Sequence, residues 1–512
     1  MASGTPAALA YLCALLLACG NCFAGAPTIK YLIPSALAPG HSTEVTFFGS
    51  DLSGAATLWT SFDAKAENIR CAEDRAVFKV AVPRNYSAGL GAVRLAATNG
   101  ISSLQLIMID KLPTIEANTT NNSITAAQEL KLPVAVDGAC EEKQSRFFRF
   151  AARKGQRLSF EVVAQRLGSI MDPLARLLDS AGRELLFCED TPGAGVDCRF
   201  TYKFGSSGQF LLELRDTRYD GGRQYRYRLR AGDFPLESAP LPFHMKPEFK
   251  TPVSSPPEIA AAEPNDVTPR RISVPACING RLGKAKERDR FQFEAKKGER
   301  LFVHGKSRSL GSPCDLYLRL ETADGKKLAD SPVVGAEEGS LTNTFKEAGM
   351  YQLVIEEAAQ LGGPEFFYRV EIEPYRPGVA LSVDTETFHA PSHGTFEIKV
   401  SPERRDYDGP ITLALEGVPE GFALEKNVLT SKTNDMTVKV TLPTNLAPGQ
   451  LLNFKIIGHA KIDGKDFVTT VSTRPALRKL FPHQSWPPAE LDGWMALGVT
   501  TSKPKLPDEK KE

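Results

Sequence analysis

The 512-residue chain is predicted to be all-β, a series of tandem β-sandwich modules of jelly-roll or immunoglobulin-like type joined by linkers. Short runs in which apolar and polar residues alternate recur along the chain, and a period of two is that of half-buried strands. The 41 Gly and 36 Pro residues favour frequent turns between those runs. A unit of about 110 residues also occurs twice, and a period of that length indicates a repeated domain.

The duplicated unit supplies the clearest strand pattern. Residues 147–185 align with 290–328 without a gap, and 15 of the 39 positions are identical. Each copy has two phenylalanines spaced two apart, which places both rings on one face of a strand. These are Phe148 and Phe150 in the first copy and Phe291 and Phe293 in the second. After an offset of two residues the match resumes at Phe204 and Phe345.

Several short motifs follow the paired aromatics in the same order in both copies: K-G-x-R-L, L-G-S-x-x-D, G-x-F/Y-x-L and a Gly-Gly turn. In this order they resemble the bacterial pre-peptidase C-terminal domain, a β-sandwich module related to the collagen-binding domains of secreted collagenases. The resemblance covers 118–235 and 263–374, nearly half of the chain. It implies two copies of a module that usually sits beside a secreted enzyme.

The remaining segments are also rich in strands and turns. Residues 27–111, with a Pro-Gly turn, alternating residues at 44–48 and a closing strand at 91–95, resemble an IPT/TIG-type immunoglobulin-like domain. Alternation with Gly-Pro and Pro-Glu-Gly turns predicts an immunoglobulin-like sandwich over 375–474.

Two segments are predicted to lie outside the sandwiches. Eight prolines fall within 235–264 and indicate an extended linker at 236–262, along which the modules reorient as independent beads. Residues 475–512 are predicted to be a C-terminal tail, disordered at its charged end. The stretch PPAELDGWMALGV before that end either packs back on a sandwich or frays.

The amino terminus predicts export. An apolar run within 1–24, too short for a membrane anchor, precedes small residues ending at Ala24 and is typical of a cleaved signal peptide. The alternative is a lipoprotein, because Leu16-Leu17-Ala18-Cys19 resembles a lipobox that would place a lipid on Cys19. Later stretches are too short or too polar to span a membrane. The expected location is therefore extracytoplasmic: periplasmic, cell-surface or secreted.

Six cysteines lie beyond the signal region, and their pairing is open. An even number in an exported chain permits disulfides, and the closest pair in sequence, Cys188 and Cys198, can staple one loop. Free thiols are the alternative. The six are Cys71, Cys140, Cys188, Cys198, Cys277 and Cys314.

Charge and motifs argue against several function classes. The net charge of +1 gives no basic surplus for nucleic acid. The chain lacks H-E-x-x-H, G-x-S-x-G, a P-loop and a dinucleotide fingerprint, so catalysis is not expected. His389 and His393 have the spacing of a zinc helix, but the intervening Ala-Pro-Ser predicts a solvated turn.

One group of residues predicts a calcium site. Glu263, Asn265 and Asp266, at the entry of the second copy, offer three oxygen-bearing side chains within four residues. This acidic entry segment resembles the one that binds Ca²⁺ in some pre-peptidase C-terminal modules, and Asp289 would close the site. In the first copy Arg146 stands in the place of Asp289, and calcium is not expected there.

The predicted function is that of an exported, non-catalytic protein that binds, adheres to or spaces something outside the cytoplasm. The expected partner is an extracellular polysaccharide or protein. The alternative is an accessory role in a secreted peptidase or hydrolase system, because the resembled family usually flanks peptidases.

Overall fold

The computed structural model describes residues 25–236, 241–249, 257–261, 268–332, 338–431, 433–484 and 486–502. It confirms the all-β prediction: the described residues form eight sheets and one α-helix, α1 (Arg474–Leu480). The sheets pair into four sandwiches, which we call modules 1 to 4. The predicted signal peptide and residues 503–512 of the tail lie outside the described residues.

Module 1 is a sandwich of two sheets. Its strands are β1 (Thr28–Ile33), β2 (Ala36–Leu37), β3 (Ser42–Ser50), β4 (Ala55–Thr60), β5 (Lys65–Ala72), β6 (Arg75–Ala81), β7 (Gly89–Ala97), β8 (Gly100–Ile101) and β9 (Gln105–Ile109). One sheet has the order β1-β3-β6-β5, and the other has the order β2-β9-β7-β4 with β8 paired to β7. Alternating residues such as Val45 and Phe47 fill the core between the sheets.

Module 2 contains the first copy of the repeat. Its strands are β10 (Thr114–Glu116), β11 (Gln128–Glu129), β12 (Val134–Ala139), β13 (Arg146–Ala152), β14 (Arg157–Val163), β15 (Pro173–Asp179), β16 (Glu184–Cys188), β17 (Arg199–Lys203), β18 (Gly208–Asp216) and β19 (Arg226–Gly232). The sheets have the orders β10-β12-β19-β14-β17 and β11-β13-β18-β15-β16. Phe148 and Phe150 are fully buried between them, as their spacing predicts.

Module 3 contains the second copy and has the same topology. Its strands are β20 (Glu258–Ala260), β21 (Arg270–Arg271), β22 (Ala276–Arg281), β23 (Arg288–Ala295), β24 (Arg300–Lys306), β25 (Leu316–Thr322), β26 (Lys327–Asp330), β27 (Ser340–Thr344), β28 (Gly349–Glu357) and β29 (Phe367–Pro374). The sheet orders β20-β22-β29-β24-β27 and β21-β23-β28-β25-β26 repeat those of module 2 strand for strand. The two copies therefore fold alike.

Module 4 extends beyond residue 474, where the sequence prediction ended it. Its strands are β30 (Gly378–Val383), β31 (Thr387–Pro391), β32 (Thr395–Arg405), β33 (Ile411–Glu416), β34 (Ala423–Glu425), β35 (Val428–Leu429), β36 (Met436–Thr441), β37 (Leu451–Ile462), β38 (Lys465–Thr470) and β39 (Met495–Thr500). Strand β39, from the segment assigned to the tail, lies between β31 and β37 and is buried at all six positions. The PPAELDGWMALGV stretch thus packs back on the sandwich because its apolar end completes a sheet.

The described part of the predicted linker does not behave as a free spacer. Residues 241–249 run along module 1, where the Leu90 N–H donates to the Pro242 carbonyl (2.8 Å) and the His244 N–H donates to the Leu90 carbonyl (2.7 Å). Phe249 then lies between Trp59 of module 1 and Trp494 of module 4. The prediction of independently moving beads fails here because Leu241, Phe243 and Met245, at alternate positions of this segment, pack on apolar residues of module 1.

The outer faces of two strands show how closely the modules pack. Strand β7 is buried at all nine positions, although one face of a sandwich strand ordinarily meets water. Module 4 covers that outer face of module 1, and Arg94 of β7 forms an ion pair with Glu386 of module 4. Strand β19 of module 2 is likewise buried at six of seven positions because module 1 lies on its outer face.

Candidate functional site: a cleft between the modules

A cleft of about 780 Å³ opens where all four modules and the connecting segment meet. Module 1 contributes Leu90, and the connecting segment contributes Leu241 and Phe243. Module 2 contributes 190–196, module 3 contributes 308–313, and module 4 contributes 486–490. Segments far apart in the chain therefore converge on this space, which we call the central cleft.

Two matching turns, one from each repeat, lie at the cleft. The 3₁₀ turns Gln165–Leu167 and Arg308–Leu310 hold equivalent positions, and a glycine with positive φ ends each of them. These glycines, Gly168 at φ 81° and Gly311 at φ 83°, belong to the repeated L-G-S motif. A side chain with a Cβ would strain this left-handed backbone, so the motif has a local structural cause.

A carboxylate caps each turn from a neighbouring strand connection. Asp197 accepts hydrogen bonds from the backbone N–H groups of Ala164 (3.0 Å) and Gln165 (2.8 Å). Glu338 accepts equivalent bonds from the N–H groups of Ser307 (2.6 Å) and Ser309 (3.1 Å). The sequence reasoning missed both residues, although the two-residue offset that aligns the later motifs places Asp197 opposite Glu338. Capping the exposed N–H groups holds the turns rigid at the cleft wall.

Module 4 contributes an aromatic ring and a carboxyl group to the lining of the cleft. Trp486 is half-buried, and the guanidinium groups of Arg474 and Arg478 lie 4.5 and 5.3 Å from its ring centroid. These arginines are one turn apart on α1, so one helix face holds the ring. Glu490 also lines the cleft. The cleft thus offers an aromatic ring beside polar groups that can form hydrogen bonds.

All six cysteines beyond the signal region are free thiols in the structure. Cys188 and Cys198 flank the cleft loop 190–196, and a hydrogen bond with the Cys198 thiol lowers the pKa of Cys188 to about 7. The Cys188 sulfur also lies 3.6 Å from the Arg199 carbonyl oxygen. The predicted closest pair is therefore in contact at the base of the loop, as thiols and not as a disulfide.

Of the predicted calcium ligands, Glu263, Asn265 and Asp266 lie outside the described residues, and Asp289 is fully buried on β23. The Tyr368 hydroxyl donates a hydrogen bond to the Asp289 carboxylate.

In module 2 a guanidinium group takes the position of that carboxylate. Arg146 donates to the carbonyl oxygens of Thr119 (2.9 Å) and Ala139 (3.1 Å). The place of the Asp289 carboxyl group in module 3 is thus taken in module 2 by the Arg146 guanidinium group, which lies among backbone carbonyl oxygens.

The histidine pair does not form one solvated turn. His389 lies on β31 at the junction with module 1, where its Nε2 is 3.0 Å from the Ile101 carbonyl oxygen. Burial lowers the pKa of its imidazole. His393 adopts φ 60° in the turn that follows. The prediction of a solvated turn is wrong for His389 because module 1 covers that strand.

Comparisons with known proteins give only distant likenesses. No family model and no curated protein matches the chain. The pre-peptidase C-terminal domain of a Bacillus anthracis collagenase is 15% identical over 23% of this chain and 100% of that chain, with a TM-score of 0.18. The SGBP-B protein of a Bacteroides ovatus mixed-linkage glucan utilization locus, solved with a heptasaccharide, is 8% identical over 67% of this chain and 74% of that chain, with a TM-score of 0.16.

A further likeness is SGBP-B from a xyloglucan utilization locus of Bacteroides uniformis, 10% identical over 41% of this chain and 74% of that chain, with a TM-score of 0.14. Likenesses this small carry no argument about function, which has to follow from the chain's own residues. Within the described residues, no helix has the length and apolar character needed to cross a membrane.

Proposed function

We propose that the chain is an exported, non-catalytic binding protein that holds a segment of an extracellular polysaccharide in the central cleft. The observation that carries this proposal is the convergence of the two repeat turns, the connecting segment and Trp486 around one space of about 780 Å³. Clefts of this size, lined by apolar and aromatic groups with a few polar side chains, are typical small-ligand and oligomer sites.

The chemistry of the lining favours a sugar chain. Pyranose rings present C–H faces that stack on aromatic rings and hydroxyl edges that need paired donors and acceptors. Trp486 supplies a ring held by α1, while Asp190, Arg308 and Glu490 supply charged groups elsewhere in the lining. The cleft has charges of both signs, so it suits neutral hydroxyl groups better than a strongly charged polymer.

Replacing Trp486 with alanine is expected to weaken polysaccharide binding about 30-fold or more, because tryptophan at the centre of an interface typically contributes at least ~2 kcal/mol. The full mature chain is first screened on an array of glycans and matrix proteins, and the best glycan is then titrated calorimetrically against both proteins.

Tyr219→Ala is the matched control, since the Tyr219 ring is likewise overlain by an arginine (Arg215, 4.1 Å) but does not line the cleft. Equal glycan affinity of the wild type and the Trp486 variant would contradict the proposal. Binding only to matrix proteins, or co-purification with a hydrolase, would favour the accessory role instead.

Cleavage of the predicted signal peptide would place the new amino terminus at Gly25. The Gly25 backbone nitrogen lies 2.8 Å from Oδ1 of Asp51, and the Gly25 carbonyl oxygen accepts a hydrogen bond from Asn99. Cleavage after Ala24 would turn that nitrogen into an ammonium group and the contact with Asp51 into an ion pair. Intact-mass analysis of the natively exported protein is expected to show a chain beginning at Gly25; an acylated chain beginning at Cys19 would exclude this.

We also propose that Ca²⁺ binds at the entry of module 3, with Asp289 as one ligand and Arg146 replacing the ion in module 2. Calorimetric titration of the full chain with Ca²⁺ is expected to show one site that Asp289→Asn abolishes. Asp324→Asn, in an exposed turn of the same module, is expected to bind normally. No heat with the wild type, or full binding by a folded Asp289→Asn chain, would refute calcium at this position.

A further inference from the structure

One face of module 3 is open where the same face of module 2 is covered. The sheet of β12, β14 and β19 carries module 1 on its outer side, and these strands are buried almost throughout. In module 3 the equivalent strand β24 alternates between buried and partly exposed residues, and β29 is partly exposed at Arg369 and Glu373. His304 and Glu373 on this outer face are therefore partly exposed, while Glu371 between them is buried.

Three side chains capable of binding a metal ion converge on that face. His304 of β24 pairs with Glu371 of the neighbouring strand β29, and Glu373 follows two residues later on the same face. The His304 Nε2 atom lies 3.1 Å from Oε2 of Glu371 and 3.6 Å from Oε1 of Glu373. The three ligand atoms lie within 4.8 Å of one another.

We propose that His304, Glu371 and Glu373 bind a Zn²⁺ ion, separate from the calcium position and from the central cleft. Zn²⁺ accepts one imidazole nitrogen and two carboxylate oxygens at about 2.0–2.2 Å. In a tetrahedron with bonds of that length the ligand atoms are about 3.3–3.6 Å apart. The two measured separations from His304 come close to this, so little movement is needed to admit the ion, and water completes the fourth position.

The surroundings orient the ligands as in known zinc sites. Oε1 of Glu371 accepts hydrogen bonds from Nε of Arg369 (2.9 Å) and Nζ of Lys306 (3.3 Å), which leaves Oε2 turned toward His304. The Phe302 ring stacks on the His304 imidazole at 5.2 Å and restrains its rotation. Partners of this kind fix the orientation of metal ligands and raise affinity.

Charged groups surround the three side chains. Burial lowers the pKa of the His304 imidazole. Burial opposes ionisation of Glu371, but the hydrogen bond from Arg369 and the nearby positive charges outweigh it and lower its pKa. Arg405 of module 4, which lies over Phe302, is the further positive group at this face.

The first repeat shows what replaces the ion. The positions of His304, Glu371 and Glu373 correspond to Glu161, Arg230 and Gly232 in module 2, which occupy the same places in the strand pairing. There the Arg230 guanidinium forms an ion pair with the Glu161 carboxylate. Module 2 therefore has the positively charged Arg230 at the position where module 3 has the proposed metal ligand Glu371.

Zn²⁺ titration of the full metal-free chain by calorimetry, with metal content measured after dialysis, tests the proposal. We expect the wild type to bind one equivalent of Zn²⁺. His304→Ala is expected to weaken the Zn²⁺ affinity at least about tenfold, because a loss of that size already follows removal of a residue that only orients a metal ligand. His459→Ala is the matched control, because His459 is exposed on a strand of module 4 and is expected to leave binding unchanged.

Substitution with Co²⁺ gives an independent readout. The wild type is expected to show visible absorption bands of a low-coordinate Co²⁺ site, and His304→Ala and Glu373→Gln are expected to lose them while circular dichroism shows both variants folded. Asp289→Asn should leave these bands intact, which separates this site from the calcium position. Absence of a Zn²⁺ equivalent in the wild type, or equal binding by a folded His304→Ala chain, would overturn the proposal.

Discussion

Replacing Arg228 with methionine is expected to reduce the free energy of unfolding of modules 1 and 2 by about 3–5 kcal/mol, the usual cost of removing one partner from a buried ion pair. Arg228 is fully buried and bridges two carboxylates, Asp137 of its own module (2.8 Å) and Asp110 of module 1 (2.9 Å). Asp137 also accepts hydrogen bonds from Ser35 of module 1. Without the guanidinium group, the buried Asp137 carboxylate loses its ion pair, while Asp110 keeps the one with Arg230 (3.1 Å).

The second repeat provides the matched control for this substitution. Arg369 holds the position of Arg228 in module 3, where it pairs with the half-exposed Glu258 and with Glu371 (2.9 Å). Arg369→Met is expected to cost less than Arg228→Met, because solvent screens the Glu258 pair and Glu371 keeps Lys306 as a partner (3.3 Å). Calorimetric melting of the three full-length proteins measures the difference. Equal shifts for the two variants would show that module 1 does not bury the Arg228 network.

Replacing Glu386 with glutamine is expected to destabilise the junction of modules 1 and 4 by a similar amount, about 3 kcal/mol. Glu386 and Arg94 are both buried and lie 2.5 Å apart. The other guanidinium nitrogens of Arg94, Nε and Nη1, have no hydrogen-bond partner among the described residues. Neutralising Glu386 therefore leaves a buried positive charge with no carboxylate to balance it.

Glu425→Gln is the control for this second substitution. Glu425 pairs with Lys439 on the exposed surface of module 4, and loss of such a pair costs about 0.5 kcal/mol. Chemical unfolding followed by tryptophan fluorescence reports on the junction directly, because Trp59 and Trp494 both contact Phe249 there. An unchanged unfolding curve for Glu386→Gln would mean that modules 1 and 4 do not bury this pair in solution.

The interior of each module could be predicted from the sequence, whereas the contacts between modules could not. The spacing of Phe148 and Phe150 gives the strand and its buried face, because the period of two is a property of the backbone. Alternation also puts Arg94 and Arg228 on outward faces, and both do point outward from their sandwiches. The sequence pattern around an outward-facing polar residue is the same whether water or another module covers that residue. The burial of Arg94 and Arg228 could therefore be seen only in the structure.

The central cleft escaped the sequence reasoning for the same reason. The L-G-S motif was visible in both copies, but the approach of the two turns Gln165–Leu167 and Arg308–Leu310 to one cleft depends on how the modules pack. Trp486 was assigned to a tail because its segment is rich in proline and has no strand pattern of its own. Trp486 lies at the cleft because β39, which follows it in the chain, pairs with the distant strand β31.

Small-angle X-ray scattering from the mature chain tests whether the four sandwiches pack in one fixed arrangement around a shared cleft. We expect a single arrangement with the junctions at Arg94–Glu386 and Arg228–Asp110 to reproduce the whole scattering curve, and Glu386→Gln to shift the curve toward greater dimensions. A wild-type curve that only a mixture of independently oriented modules can reproduce would contradict this fixed arrangement.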